Sequence, residues 1–527
     1  MKFKYLFLFV SISTTLVFAQ TVDTHPFSVD DMLAMDSVSD PQVSPDGSQV
    51  VFVRRKTDLQ DNKGRTDLWL VGTDGTGLRR LTTHPAGDYN PRWAPDGKSI
   101  WYLSARDNSS QVWKIPVDGG EGRQFTDLPL DVGNLVVSPT GKHIAFTMEV
   151  FPDSSVEQTK DKLEKIENSK ASGVIYDKVF IRHWDTWKDG RRSHLFAMPA
   201  AGGDPVDLMK GIDADTPSKP FGGPEEITFT PDGTELVFTA RLAGKKEPWS
   251  TDFDLYRVTV DGANEPRCIT PTNKAWDTLP VFSPDGETLA YLAMGRPGYE
   301  SDRFRIILLH WRTGFKRALT QKWDRSPSSI CWAPDGKTIY TTAANEGHNS
   351  LFAIDVDSAK TRLIIEKGTV SSPSIAGSRI VYGLDNLKSP VELYSVSPDG
   401  SGVKAVTQIN RSKVAAARMG DYHQFKFKGW NNEQVDAFIM KPVDFDPSKK
   451  YPVAFLIHGG PQGYWGDHFH YRWNPQVYAG AGYAAVMVNF HGSTSYGQNF
   501  TDSIRGDWGG KPLIDLQKGL KAALKEY

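Results

Sequence analysis

One phrase recurs through the first four hundred residues and limits what they can fold into. "VSPDGSQVVFVRR" starts at Val43, "WAPDGKSIWYLSA" at Trp93, "VSPTGKHIAFTME" at Val137, "FTPDGTELVFTAR" at Phe229, "FSPDGETLAYLAM" at Phe282 and "WAPDGKTIYTTAA" at Trp332. A degenerate copy, "SIAGSRIVYGLDN", starts at Ser374. Each reads as a strand, a tight Pro-Asp-Gly turn and an alternating strand, with Pro fixing φ and Gly accepting a positive φ. A second strand-turn-strand phrase follows each copy, as in "LWLVGTDGTGLRRLT" and "LYRVTVDGANEPRCIT". Together they predict seven four-stranded units with a period of about 45 to 55 residues, near the roughly 40–50 of propeller repeats. A unit this small cannot bury its faces alone, so the units must close into a ring. The prediction is a seven-bladed β-propeller over residues 20–414. Its recurring Asp46, Asp96, Asp232, Asp285 and Asp335 are expected to cap turns rather than to catalyse.

The third copy is interrupted by an insert of about residues 149–193. "SSVEQTKDKLEKIENSKASG" is polar and predicts a solvated helix or a mobile loop. "VFIRHWDTWKDGRRSHLF" is expected to be an irregular strand with Trp184 and Trp187 packed between blades. The competing reading is a substrate-contacting face, because long insertions commonly carry function. A chain of 527 residues exceeds one core, so a second domain is expected. A net charge of −2 gives no reason to expect nucleic acid or an anionic membrane as partner. Lys2 and Lys4, the apolar run "YLFLFVSISTTLVF", and the small Val17 and Ala19 predict an export signal over residues 1–19. The mature chain is therefore expected in the periplasm or outside the cell, free of the membrane after cleavage. Cys268 and Cys331 fall in different repeats, which predicts free thiols; no metal site and no cofactor are expected.

Past about residue 415 the repeat stops. "HQFKFKGWNNEQVDAFIMKPVDF" reads as a hairpin turning at Asn431 and Asn432, and "YPVAFLIHGGP" as a buried strand. A helical stretch near "RWNPQVYAGAGY" leads to a second buried strand, "YAAVMVNFHGSTSYG". "KPLIDLQKGLKAALKEY" predicts an amphipathic helix with Leu513, Leu516, Leu520 and Leu524 on one face. Alternating strand and helix predict the start of an α/β-hydrolase sheet over residues 415–527. In such a sheet the loop after the third strand supplies an N–H to an oxyanion hole, and Gly459 and Gly460 suit that need. His458 precedes any nucleophile, which is out of order for a catalytic base, so it is expected to hold the loop. No G-x-S-x-G occurs in the 527 residues, and "GSTSYG" lacks its flanking glycines. None of the catalytic triad is assigned here; the next strand and its nucleophile elbow are expected beyond Tyr527, and a chain ending there is expected to be inactive.

Proline-Asp-Gly repeats followed by "HGGP", "NFHGSTSYGQNF" and "RGDWGG" resemble the prolyl oligopeptidase family of serine peptidases, in its acylaminoacyl-peptidase and dipeptidyl-peptidase V branch. The resemblance implies that Gly460 donates its N–H to the oxyanion, and that His458, Tyr496 and Trp508 lie on loops framing the active site. Many relatives carry Arg where this chain has His491. The resemblance further implies short peptides as substrates, with the propeller limiting their access. A dipeptidyl peptidase must also hold a free amine, for which Glu225 and Glu226 are one candidate pair and Arg182 and Asp185 a second set. The competing reading of Glu225 and Glu226 is an exposed acidic pair at a strand start. The alternative function is a non-catalytic, TolB-like propeller that binds a protein or peptide. Cleavage preference and oligomeric state stay open at this point.

Overall fold

The computed structural model describes residues 24–183 and 185–527. The expected signal, residues 1–19, lies outside the described residues, as does Trp184. Seven four-stranded antiparallel meanders follow one another, spanning residues 37–80, 88–124, 133–207, 227–268, 277–318, 331–365 and 369–405. The last two are joined by one parallel bridge, Asn349 to Thr369. Each meander buries apolar side chains against the next, as Val51 and Leu68 do against Ile100 and Tyr102. The ring closes where Val38, Val50 and Phe52 of the first meander meet Val381 and Leu393 of the seventh.

The Pro-Asp-Gly turns follow from their side chains. Asp46 Oδ1 accepts from Ser44 Oγ at 2.6 Å and from the Ser48 N–H at 3.0 Å, and Gly47 sits at φ +74°. The Ser44 hydroxyl and the Ser48 N–H hold the Asp46 carboxyl down to about 2. The innermost strand is bulged in five meanders, at Asp40, Asn90, Asn134, Leu279 and Ser372, all with positive φ. Bulges twist a strand and re-aim its side chains. Here they line a central channel of about 1130 Å³ to which all seven meanders contribute.

The C-terminal unit is a mixed four-stranded sheet. Its order is Tyr422–Lys428, Gln434–Met440, Ala484–Asn489, Val453–Leu456, and only the last pair is parallel. Asn431 and Asn432 turn the hairpin at φ +51° and +58°. The Gly510–Glu526 helix buries Pro512, Asp515, Gly519 and Ala523; of the expected leucine stripe, Leu516 packs half-buried on the sheet's core and Leu520 is half-buried. Leu513 and Leu524 are 53% and 62% exposed. The reason is close approach: a Cβ on Gly519 would stand 2.7 Å from Val488 Cγ2 and 2.8 Å from Phe427 Cζ. A leucine there would hold the helix off the sheet. Near the start of the described chain, Phe27, Met32 and Met35 pack on this unit with Ala417 and Phe469.

The insert follows expectation in its first part and departs from it in its second. It opens with the helix Val156–Glu167, capped by Ser155. Arg182–His183 then pairs with Thr186–Trp187 in a minimal hairpin. Trp187 is 58% exposed and lies against Tyr176 (6.0 Å between centroids), so it does not pack between meanders. What anchors the base of the insert is charge: Arg192 reaches Asp213 at 2.7 Å, Asp215 at 2.8 Å and Glu247 at 2.7 Å.

Candidate active site

The Val453–Leu456 strand is the edge of its sheet and runs into His458-Gly459-Gly460-Pro461. The His458 ring lies flat on Phe490, with centroids 4.2 Å apart and planes at 11°. Its Nδ1–H donates to the Gly459 carbonyl at 3.0 Å, which leaves Nε2 to accept from Ser493 Oγ at 2.9 Å. Burial lowers the His458 pKa, in keeping with this neutral ring. His458 thus ties its own loop to the one after Ala484–Asn489. Gly460 is exposed at φ +127°, where a Cβ would stand 2.7 Å from Gln462 N. Its N–H has no hydrogen-bond partner among the described residues. Gly459 is exposed too, but a Cβ there meets nothing within 4 Å.

Asn489 locks the two loops together. Its Oδ1 accepts the Trp465 N–H at 2.7 Å, and its Nδ2 donates to Trp465 O at 3.0 Å and to Tyr496 OH at 2.9 Å. The Thr494 N–H adds a bond to Gly463 O at 3.0 Å. Burial, with Asp436 nearby, keeps the Tyr496 phenol well above its usual pKa, so it stays protonated. Trp508 stands apart on the connection before the last helix, 65% exposed. Ser493 is fully buried, and Ser495 accepts the Gly347 N–H at 2.8 Å, so both serines of "GSTSYG" are built into the loop. His491 is equally structural. Its Nδ1 meets Asp515 at 2.5 Å and its Nε2 meets Glu433 at 3.1 Å. Burial opposes its charge, but the two carboxylates prevail and raise its pKa.

These loops face a cavity of about 420 Å³ between the two units, walled by Gln462, Tyr464, Thr494 and Gln498 on one side and by Asp302 and Asp324 on the other. Ser328 and Asn349 line both this cavity and the central channel, so the channel leads to it. Arg296 spans the units in a two-pronged bond to Asp502, at 2.7 and 2.8 Å. Asp467 is 3% exposed and accepts from the Leu387 N–H at 3.0 Å and from Tyr422 OH at 2.9 Å. Sequence reasoning singled out neither Asp467 nor Arg296, because their partners are far away in the chain.

The candidate amine-binding residues separate. Glu225 is exposed and lines the channel. Glu226 is 3% exposed, which corrects the reading of both as an exposed acidic pair. It accepts from the Ser218 N–H at 2.6 Å, Ser218 Oγ at 2.8 Å and Thr278 Oγ1 at 2.9 Å. Burial raises its pKa against those bonds. Arg182 and Asp185 lie on the exposed hairpin of the insert, with Arg182 over the Trp187 ring at 5.7 Å.

Comparison with known proteins fits this arrangement. Residues 14–169 match the TolB beta propeller domain, and residues 469–527 match the prolyl oligopeptidase family. Dipeptidyl-peptidase 5 of Porphyromonas gingivalis is 30% identical over 499 residues, covering 94% of this chain and 72% of that protein. The chain belongs to the prolyl oligopeptidase family. Dipeptidyl-peptidase 5 of Porphyromonas endodontalis is 31% identical over 515 residues, covering 96% of this chain and 73% of that protein. In fold, the chain is similar to Pyrococcus horikoshii acylaminoacyl peptidase, with a TM-score of 0.75 at 18% identity, over 95% of this chain and 72% of that one. Membership makes the protein a serine-type peptidase, and a hydrolase.

Proposed function

We propose that residues 20–414 are a seven-bladed propeller that gates access, and that residues 415–527 begin an α/β-hydrolase domain, in an exported peptidase cleaving short peptides. The activity is of dipeptidyl- or acylaminoacyl-peptidase type. One observation carries the reading: Gly460, on the loop after a parallel strand, offers an N–H without a partner among the described residues, in a conformation that favours glycine. That is the requirement for stabilising an oxyanion, where one donor is worth about 10²–10³ in rate. The nucleophilic Ser, the Asp and the His are assigned beyond residue 527. Two facts support this: no G-x-S-x-G occurs in the sequence, and the named dipeptidyl-peptidases are longer than this chain.

The chemistry follows the family pattern. The Ser Oγ attacks the peptide carbonyl while His takes its proton. The oxyanion is held by Gly460 N–H and by the N–H after the nucleophile, and water hydrolyses the acyl-enzyme. Substrate reaches the inter-unit cavity under the propeller, with Glu225 at the channel lining as a candidate for the free amine. Localisation in the periplasm or outside the cell is part of the proposal and rests on residues 1–19. The test is to give the whole gene product one peptide with a free amino terminus and the same peptide N-acetylated, and to identify products by mass spectrometry. A released dipeptide, or a released acetyl-amino acid, supports the respective activity. Cleavage of neither refutes the proposal.

A further inference from the structure

The C-terminal unit is contacted by the connections between the second and third strands of the fifth, sixth and seventh meanders, through Arg296, Gly347 and Leu387. The matching connection of the fourth meander, residues 241–253, therefore rises from the same face of the ring. It is firmly held. Glu247 accepts from Arg192 at 2.9 and 2.7 Å and from Lys188 at 2.8 Å. Burial opposes the Glu247 charge, but these cations hold its carboxyl down to about 2. Trp249, two residues on, is nevertheless 72% exposed.

Beside Trp249 lies a groove of about 590 Å³. Leu242 and Trp249 line it from this connection, and Pro297 and Gly298 line it from the fifth meander. The Gly298 N–H donates to Thr251 Oγ1 at 2.8 Å, which joins the two walls. Pro297 follows Arg296, the residue that grips Asp502, so one wall of the groove belongs to the connection that contacts the C-terminal unit. Its charged lining is Lys246, Lys274 and Asp252. Asp252 is engaged by Lys274 at 3.4 Å, while Lys246 has no ion-pair partner among the described residues. An exposed indole beside an unpaired ammonium suits an apolar side chain next to an anion.

We propose that this groove is an accessory subsite for the distal part of a peptide substrate, taking an aromatic or aliphatic side chain on Trp249 and Leu242 and an acidic group at Lys246. The inference rests on the peptidase reading above. The probe is a fluorescein-labelled peptide of alternating Phe and Asp, compared by anisotropy with one in which Lys replaces each Asp. The 527-residue chain is expected to bind the acidic peptide about tenfold more tightly, and less tightly as salt is raised. Trp249→Ala and Lys246→Glu are each expected to weaken that binding about tenfold. Both side chains are exposed, so the circular dichroism spectrum and melting temperature should not change. Equal binding of the two peptides, absence of binding, or variants that bind like wild type would overturn the subsite. Failure of the peptidase reading shows separately, as no hydrolysis of any peptide by the whole gene product.

Discussion

Removing the Asp467 carboxylate should loosen the joint between the ring and the C-terminal unit. Its Oδ1 takes both the Leu387 N–H at 3.0 Å and the Tyr422 hydroxyl at 2.9 Å, in a setting that leaves Asp467 3% exposed. His348 Nδ1 is 3.5 Å from the other oxygen, but that nitrogen already accepts the Gly368 N–H, so it is no donor to Asp467. Asp467→Ala strands the buried Leu387 N–H and the half-buried Tyr422 hydroxyl at about 1–3 kcal/mol each, or about 2–6 kcal/mol in total. Asp467→Asn keeps an oxygen acceptor for both and should cost about 1 kcal/mol. Urea unfolding followed by tryptophan fluorescence gives both values. In the Asp467→Ala background, Tyr422→Phe should cost less than in wild type, by about 1.5–3 kcal/mol, the worth of a bond to a charged acceptor. Equal costs for the Ala and Asn variants, or no coupling with Tyr422, would refute the reasoning.

Other consequences follow from the loops. His491 has a raised pKa, so its contribution is full below the unfolded value of about 6.5 and is lost as pH rises through the folded one. His491→Gln should therefore destabilise more at acidic than at alkaline pH, and a denaturation midpoint measured at both ends checks this. Asp515→Ala takes from the buried His491 one of the two carboxylates it meets and strands the Trp430 and His491 N–H groups, and should cost about 3–5 kcal/mol by the same assay. Gly460→Ala must adopt φ +127° against Gln462 and should cost about 1–3 kcal/mol, whereas Gly459→Ala should stay within about 0.5 kcal/mol; melting temperatures separate them. Ser493→Ala removes only the partner of His458, so the whole gene product should keep hydrolysing peptides, more weakly folded by about 1 kcal/mol.

The ring was legible because its signal is local and repeated. Each Pro-Asp-Gly turn is decided within five residues by an Asp side chain and a positive-φ Gly, as Ser44 to Ser48 show. The positive φ of Gly460 after an apolar strand is likewise a local feature, while its donation to an oxyanion belongs to the proposal. The last helix misled because a leucine stripe marks an apolar face without saying which face meets the sheet; Gly519 sets that through close approach to Val488 and Phe427. Glu226 looked exposed beside Glu225, yet Ser218 and Thr278 enclose it from outside its own short helical turn, Pro224–Glu226. Asp467 and Arg296 carried no sequence signal at all. Their partners, Leu387 and Asp502, are 80 and 206 residues away, and only the docking of the two units brings them together.

The most direct test of the account is to label the whole gene product with a fluorophosphonate and map the modified serine by peptide mass spectrometry. The account predicts one labelled serine beyond residue 527, with loss of peptide hydrolysis in step with labelling. A label on Ser493 or Ser495, or hydrolysis by a chain ending at Tyr527, would contradict it.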